Sequence, residues 1–280
     1  MTLLSGSQIK IKLYLVSKKM KLDLYRIDSF VSTEFKGNPA CVIPLNNWLP
    51  DNILLEIAKR NAVAETAFFI YHKNKYHLRW FTPEIEMDLC GHATIAAAHC
   101  LKFILGFEKE KIVFNTLSGE LIVSFNQGYY SMNLPSRAPV RSKLPEIISK
   151  SLNIDPNETY KSRDYLLLYD NENQIRNIKV KKEFLDQINL GCGGVIVTSK
   201  GKNCDFVSRY FTPQSSILED PVTGSSHCTL TPFWSKRLNK KSLSADQLSK
   251  RGGSLKCLDK GNRVIVSGQA KTFSKTTFVL

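Results

Sequence analysis

The chain has 280 residues, 42% hydrophobic and 23% charged, proportions that suit a globular protein with an ample core, as one large domain or two ordinary ones. Its 39 Lys and Arg exceed its 25 Asp and Glu, giving a net charge of +14, but the basic residues are scattered and accompany no nucleic-acid-binding motif. No apolar run approaches the ~20 residues that cross a bilayer. We therefore expect neither nucleic acid nor membrane as a partner.

The cysteines and histidines argue against a metal site. Seven Cys occur without a Cys-x-x-Cys pair, and the five His lack metal-ligand spacing. Free cysteines are typical of a reducing compartment, so we expect a cytoplasmic protein without a bound metal. Residues 1–19 lack the pattern of a signal peptide and are interpreted as an N-terminal tail.

Hydrophobic periodicity and turn residues predict the elements in chain order. The first half is expected to contain strands at 22–30, 40–45, 67–71, 76–81, 112–116, 120–126 and 129–134, with helices at 50–60 and 91–107. The second half is expected to contain a helix near 146–152, strands near 165–169, 195–198 and 205–211, a helix after residue 224, and strand or turn segments at 244–251, 264–267 and 276–280.

A repeated phrase indicates two similar lobes. Arg-Trp-Phe-Thr-Pro at 79–83 recurs as Arg-Tyr-Phe-Thr-Pro at 209–213, and each copy follows a strand-turn-strand pattern. The proline-rich stretch 135–145 is the best boundary between the lobes. We therefore predict a tail at 1–19, a first lobe at 20–137 that the final strand at 271–280 joins, and a second lobe at 138–270.

Each repeat leads to a turn of small residues that is expected to open a helix. Cys-Gly-His-Ala-Thr occupies 90–94, and Thr-Gly-Ser-Ser occupies 223–226. The unpaired N–H groups and the positive dipole end of a helix start suit an anion. Two such turns facing each other, at Gly91 and Gly224, predict a cleft that holds a small carboxylate.

Glu65 is the candidate for proton transfer. It stands between an amphipathic helix and an apolar strand. A carboxylate that apolar neighbours partly remove from water can hold and release a proton near neutrality. The alternative is an ordinary surface or salt-bridged glutamate at a helix end.

Four residues near the turns have both a functional and a structural interpretation. His92 could donate to a carboxylate or relay a proton, or serve only as a structural hydrogen-bonding group. Asp220 and Ser225 could line the site or cap the second helix. Cys90 could be a thiolate activated by the helix start, or a small buried residue. Because the second turn contains no cysteine, a mechanism with two thiols is disfavoured.

These segments together resemble the PhzF-like phenazine biosynthesis family, which shares its fold with diaminopimelate epimerase. The similarity covers most of the chain and lies in Asp-Ser-Phe at 28–30, Gly-Asn-Pro-Ala at 37–40, Ala-Glu-Thr at 64–66, the segments 81–83 and 90–94, and Glu-Asp-Pro-Val-Thr-Gly-Ser at 219–225. The resemblance implies an α+β fold of two pseudo-symmetric lobes, each a curved, mostly antiparallel sheet wrapped around a central helix.

The resemblance also implies a function. The expected activity is a cofactor-independent isomerase that moves a proton on a small cyclic amino or hydroxy carboxylate, in a homodimer. The implied catalytic residues are Glu65, His92 and Asp220, and the implied substrate-binding residues are Asn38, Gly91, Gly224 and Ser225. Two alternatives stay open: a cysteine-dependent epimerase or racemase of an amino acid that uses Cys90, and a non-catalytic small-ligand-binding protein of the same fold.

Overall fold

The computed structural model describes residues 20–280, and the predicted tail lies outside them. The fold is α+β, as predicted, with one continuous sheet of sixteen strands. The strands are β1 Lys21–Val31, β2 Asn38–Leu45, β3 Glu65–His72, β4 Lys75–Phe81, β5 Glu86–Met87, β6 Lys111–Thr116, β7 Gly119–Asn126, β8 Tyr129–Pro135, β9 Val140–Arg141, β10 Glu158–Lys161, β11 Tyr165–Leu168, β12 Val195–Lys200, β13 Phe206–Phe211, β14 Ser242–Gln247, β15 Gly253–Asp259 and β16 Arg263–Val279.

Six α-helices accompany this sheet in the described residues. They are α1 Asp51–Asn61, α2 Gly91–His99, α3 Glu146–Ser151, α4 Glu172–Asn177, α5 Lys182–Leu185 and α6 His227–Leu238. Within residues 20–280, no helix is long and apolar enough to cross a membrane.

The first lobe is a closed sheet around α2. Its strands run in the order β1-β2-β3-β4-β6-β7-β8-β16, and β16 pairs back onto β1. The sequence of α2 is rich in alanine, and every residue from His92 to His99 is buried. Small side chains allow the surrounding strands to pack closely on all sides of this helix.

The second lobe continues the same sheet in the order β16-β15-β14-β13-β12-β11-β10-β9 and packs against α6. Strand β16 belongs to both halves. Residues 263–268 pair with β8 and residues 264–267 with β15, whereas residues 269–279 pair with β1. The two lobes are therefore joined by hydrogen-bonded backbone as well as by the chain connection.

The end of the helix predicted at 91–107 differs from the expectation. The α-helix ends at His99 and continues as a π-helical segment, Cys100–Ile104, in which the Leu105 N–H donates to the Cys100 carbonyl at 3.0 Å. Gly106 then adopts a φ of +73° and ends the helix. A left-handed glycine after the last turn is a common helix stop, and here it takes effect before the apolar pattern runs out.

The C-terminal segments predicted at 264–267 and 276–280 are parts of one strand, β16. Its change of partners is accompanied by Gly268, where a Cβ would lie 2.3 Å from the Phe30 ring. Six elements of the structure were not predicted from the sequence: β5, β9, β10, β15, α4 and α5. All except β15 have six residues or fewer, which is too short for a clear periodic pattern. Strand β15 lies between the segments predicted at 244–251 and 264–267.

Candidate functional site

Two partly buried ion pairs hold the loops that lead to the turns. Arg79 donates from Nε and Nη2 to the Glu86 carboxylate, both at 2.6 Å. Arg209 makes the same pair of bonds to Glu219, at 2.6 and 2.9 Å. In both lobes the guanidinium also lies 5.0 Å from the centroid of the Phe ring two residues later. The repeated phrase therefore places on each loop an arginine that forms a bidentate ion pair with a glutamate. We call the pairs Arg79–Glu86 and Arg209–Glu219 the clamps.

These clamps align the two turns. The Phe of each repeated phrase pairs with its clamp glutamate, Glu86 in one lobe and Glu219 in the other. Gly91 and Gly224 follow these glutamates at the same offset along the chain. The two glycines therefore occupy equivalent positions in the two lobes.

The two turns touch each other at these glycines. A Cβ built on Gly91 would lie 3.6 Å from the Cα of Gly224 and 3.3 Å from Cε of Met132. The N–H groups of both glycines make no hydrogen bond within residues 20–280. Glycine permits this close approach. Helix α2 starts at Gly91, as predicted, whereas α6 starts at His227, three residues after Gly224. The start of one helix and the turn that leads into the other therefore bring two free N–H groups to one place.

A chain of polar contacts joins the lobes beside the turns. Oε2 of Glu65 lies 3.1 Å from Nε2 of His92, in an ion-pair contact that is not aligned as a hydrogen bond. Nδ1 of His92 lies 3.2 Å from Nδ2 of Asn38. The Asn38 amide donates to Oδ1 of Asp220 at 2.7 Å and to the Val222 carbonyl at 3.0 Å. Asn38 thus connects the first-lobe pair to the second-lobe carboxylate.

Burial and neighbouring charges shift the titration of these groups. Burial by itself lowers the pKa of His92, but the Cys90 sulfur and the Glu65 carboxylate outweigh it, and the net direction is upward. Burial raises the pKa of Asp220 to about 6, against the opposing effect of His92 and with a further rise from Glu65. The site therefore holds a group that changes its protonation state close to neutral pH.

Cys90 is a buried neighbour of this chain of contacts. Its Sγ lies 3.6 Å from Nδ1 of His92. Burial raises the pKa of the Cys90 thiol, Glu65 raises it further, and His92 lowers it, with a net upward direction. A thiol shifted in this direction stays protonated at neutral pH and is not preformed as a nucleophile or base.

Glu65, Cys90 and His92 also offer three ligand atoms within 4.8 Å of one another. Zinc accepts all three ligand types. However, Cys90 lies nearer to Nδ1 of the imidazole and Glu65 contacts Nε2, whereas a metal ion binds a single imidazole nitrogen. In this arrangement protein groups contact both nitrogens of the imidazole.

A cavity of about 260 Å³ lies between the lobes over these groups. The predicted residues that line it are Glu65, Cys90, Gly91, His92, Asp220, Gly224 and Ser225. Asn38 is fully buried behind them. The side chains of Asp220 and Ser225 do not cap the second helix, since Ser226 holds the N-cap position without a side-chain cap bond.

Some residues around the cavity were not identified from the sequence. Thr223 donates its hydroxyl to Asp220, and Arg163 donates to Oγ of Ser225 at 3.2 Å. Arg137 and Tyr210 also line the cavity. Thr223 could have been found as the residue before the second glycine, whereas the arginines stand in segments without any motif.

The lobes differ at the position of Glu65. Thr66 pairs with Phe81 of the first repeated phrase, and Val195 pairs with Phe211 of the second. Glu65 and Gly194 each precede the paired residue, so they occupy equivalent positions in the two lobes. A Cβ at Gly194 would lie 2.7 Å from the Tyr210 hydroxyl, so the tyrosine fills that space. The cavity therefore has a carboxylate at this position from one lobe only.

Two pseudo-symmetric lobes with helix starts meeting at a cavity define the diaminopimelate epimerase-like class of fold. A family model described as "Phenazine biosynthesis-like protein" (PhzC-PhzF) matches residues 27–276. The chain belongs to this family.

Individual relatives agree with this assignment. A Pseudomonas aeruginosa protein named as an uncharacterized isomerase is 41% identical over 261 residues, which is 93% of this chain and 100% of the relative. The crystal structure of a PhzF-family protein from Enterococcus faecalis is 42% identical, covers 93% of this chain and 100% of its own, and superposes with a TM-score of 0.89.

A hydroxyproline epimerase from Agrobacterium vitis has the same fold at a TM-score of 0.56. It is only 9% identical, over 93% of each chain, and so its likeness concerns the fold alone.

Proposed function

We propose that this protein is a cofactor-independent isomerase that moves a proton on a small cyclic amino or hydroxy carboxylate. The observation that carries the proposal is the difference between the lobes, because Glu65 faces the cavity and its counterpart is Gly194. One carboxylate that takes a proton from one carbon and returns it to another carbon of the same molecule performs an isomerisation. The names of the relatives as isomerases agree with this reaction class.

In the proposed mechanism the two turns bind the substrate carboxylate. The free N–H groups of Gly91 and Gly224 would donate to it, and the two helix starts would stabilise negative charge that develops when the adjacent carbon loses its proton. The 3.1 Å contact between Oε2 of Glu65 and Nε2 of His92 holds the Glu65 side chain in place. Glu65 would accept the proton and then deliver it to the second carbon, so the enzyme returns to its starting state.

Deuterium exchange tests the proposal directly. The protein is incubated in D2O with a panel of small cyclic, amino and hydroxy carboxylates, and loss of a C–H signal is followed by NMR. We expect at least one compound to exchange and to isomerise with wild-type protein. Glu65→Gln keeps the side-chain shape but cannot accept a proton at neutral pH, so turnover should fall by at least about a hundredfold.

Glu84→Gln is the matched control, because Glu84 is exposed and lines the same cavity without contacting His92. Its turnover should stay close to that of wild type. Wild-type rates in Glu65→Gln would refute the role proposed for Glu65. Ligand binding without proton exchange by wild-type protein would favour the non-catalytic alternative.

The second candidate is a cysteine-dependent epimerase. The 3.6 Å contact between Cys90 and His92 favours it, since His92 could accept the thiol proton. Against it, the residue equivalent to Cys90 in the second lobe is Thr223, which has no thiol. Alkylation by iodoacetamide is carried out in a Cys192→Ala background, because Cys192 is exposed and lines the same cavity. Loss of activity in that background would favour this second candidate.

We also propose that the protein is a homodimer, as family members commonly are. Light scattering coupled to size-exclusion chromatography would measure the mass in solution. A mass close to the 31.7 kDa of one chain would contradict the dimer.

A further inference from the structure

Two arginines stand on the second-lobe side of the cavity, and the proton transfer proposed above does not use them. Arg163 is held in place by its neighbours. Its Nη2 lies 2.9 Å from the carboxylate of Asp164, which is fully buried, and also donates to Ser225 at 3.2 Å. Asp164 accepts further bonds from the Gly194 N–H at 2.9 Å and from the Tyr210 hydroxyl at 3.0 Å. The charge of Arg163 is therefore compensated within the protein.

Arg137 lacks such compensation. Its backbone N–H donates to the Cys228 carbonyl in α6 at 2.8 Å, which fixes the residue beside the second helix. The side chain lines the cavity, and its buried Nη1 has no hydrogen-bond partner in the part of the chain that the structure describes. Within residues 20–280, no carboxylate lies within ion-pair distance of Arg137.

An unpaired, partly buried guanidinium costs free energy unless an anion meets it. The substrate carboxylate does not supply that anion at the turns, because the free N–H groups of Gly91 and Gly224 and the positive ends of two helices can already neutralise one carboxylate. Four acidic residues line the cavity, and none of them pairs with Arg137. Glu65 contacts His92, and Asp220 accepts from Asn38 and Thr223. Glu84 and Asp88 are exposed and belong to the first lobe. Arg137 on the second-lobe side is thus a cation in excess of what one carboxylate needs.

We propose that Arg137 forms a second anion subsite at this wall of the cavity, and that the substrate of this protein carries two anionic groups. The first is the carboxylate at the turns, and the second is another carboxylate or a phosphate. This inference rests on the proposed function in so far as it takes the cavity as the substrate site. Guanidinium groups suit both anions because their planar N–H donors match two oxygens at once.

Calorimetric titration with matched probes tests the subsite. Glutarate carries two carboxylates, whereas its monoamide has the same length and carries one. Wild-type protein should bind glutarate at least about tenfold more tightly than the monoamide, as a charge-assisted hydrogen bond predicts. Malonate, succinate and adipate extend the comparison to other lengths, and phosphonopropionate replaces one carboxylate. Tighter binding of phosphonopropionate than of succinate would identify the second group as a phosphate.

Arg137→Met should remove this discrimination and leave the affinity for the monoamide within about twofold, because the change deletes a charge and keeps most of the side-chain volume. Arg141→Met is the matched control, since Arg141 is exposed and pairs with Glu158 outside the cavity. It should keep the full discrimination.

Three results would each overturn the subsite. The first is equal affinity of wild type for glutarate and its monoamide, and the second is retained discrimination in Arg137→Met. The third is that no dianion binds with a dissociation constant below about 10 mM. These measurements need no turnover. Failure of the subsite is therefore distinguishable from failure of the proposed isomerase, which the Glu65→Gln exchange experiment decides separately.

Discussion

Replacing Asp220 by asparagine should change how the stability of the protein depends on pH. Asp220 is buried between the lobes, and burial raises its pKa from an ordinary value of 3.8 to about 6. Because the folded protein holds this proton more tightly than the unfolded chain does, the contribution of Asp220 to stability is fully present below pH 3.8 and is lost as the pH rises through 6. This rise in pKa corresponds to about 3 kcal/mol in the free energy of unfolding.

Urea unfolding followed by circular dichroism, at several pH values from 4 to 7.5, measures the effect. The asparagine variant has one acceptor oxygen and cannot accept from both Asn38 and Thr223, which lowers its stability by an amount that does not depend on Asp220 titration. On top of this offset, the stability of wild type relative to Asp220→Asn should fall by about 2 kcal/mol over this pH range, because the Asp220 carboxyl of the unfolded chain is already more than half ionised at pH 4.

Subtraction removes the contribution of groups that do not interact with Asp220, whereas the coupling of Asp220 to His92 and Glu65 remains part of the difference. Asp88→Asn is the control for the carboxylate-to-amide change itself, since Asp88 is exposed and lines the same cavity. A difference between wild type and Asp220→Asn that stays constant within about 1 kcal/mol would refute the argument that Asp220 is buried at a desolvation cost.

Three further substitutions test other parts of the site. Cys90→Ala should lower kcat/KM by less than about tenfold if the thiol only packs, and a folded variant that loses more than about a hundredfold would favour the epimerase mechanism. Gly194→Ala should destabilise the protein by about 2 kcal/mol in urea unfolding, because its Cβ would lie 2.6 Å from the Phe211 carbonyl, and unchanged stability would contradict this packing. Arg209→Met should cost about 3 kcal/mol by leaving Glu219 unpaired, and a loss below about 1 kcal/mol would contradict a stabilising clamp.

The differences between the lobes bear on how a repeated fold acquires one reactive centre. Both lobes retain the clamp and the glycine in the turn that leads into the helix. They differ at the positions that face the cavity, where Glu65 and His92 in the first lobe correspond to Gly194 and Ser225 in the second. Shared positions therefore maintain the architecture, and divergent positions determine the chemistry that each lobe can supply.

The sequence by itself determined the two-lobed plan and most of the candidate site. The repeated phrase, the small-residue turns and the Ala-Glu-Thr segment at 64–66 are local patterns, and local patterns report the conformation of the residues that carry them. They were sufficient to identify Glu65, His92, Gly91 and Gly224 as candidates, and the structure brings these four residues together.

Only the tertiary structure decided which residues occupy equivalent positions in the two lobes. Strand register matches Glu65 with Gly194, and register depends on hydrogen bonds between segments far apart in the chain. The continuity of β16 likewise depends on its exchange of partners, from β8 and β15 to β1. Arg137 belongs to no sequence motif. It was identified only because it lines the cavity and has no anionic partner within the described residues. Such a property belongs to the folded surroundings and has no counterpart in the order of residues along the chain.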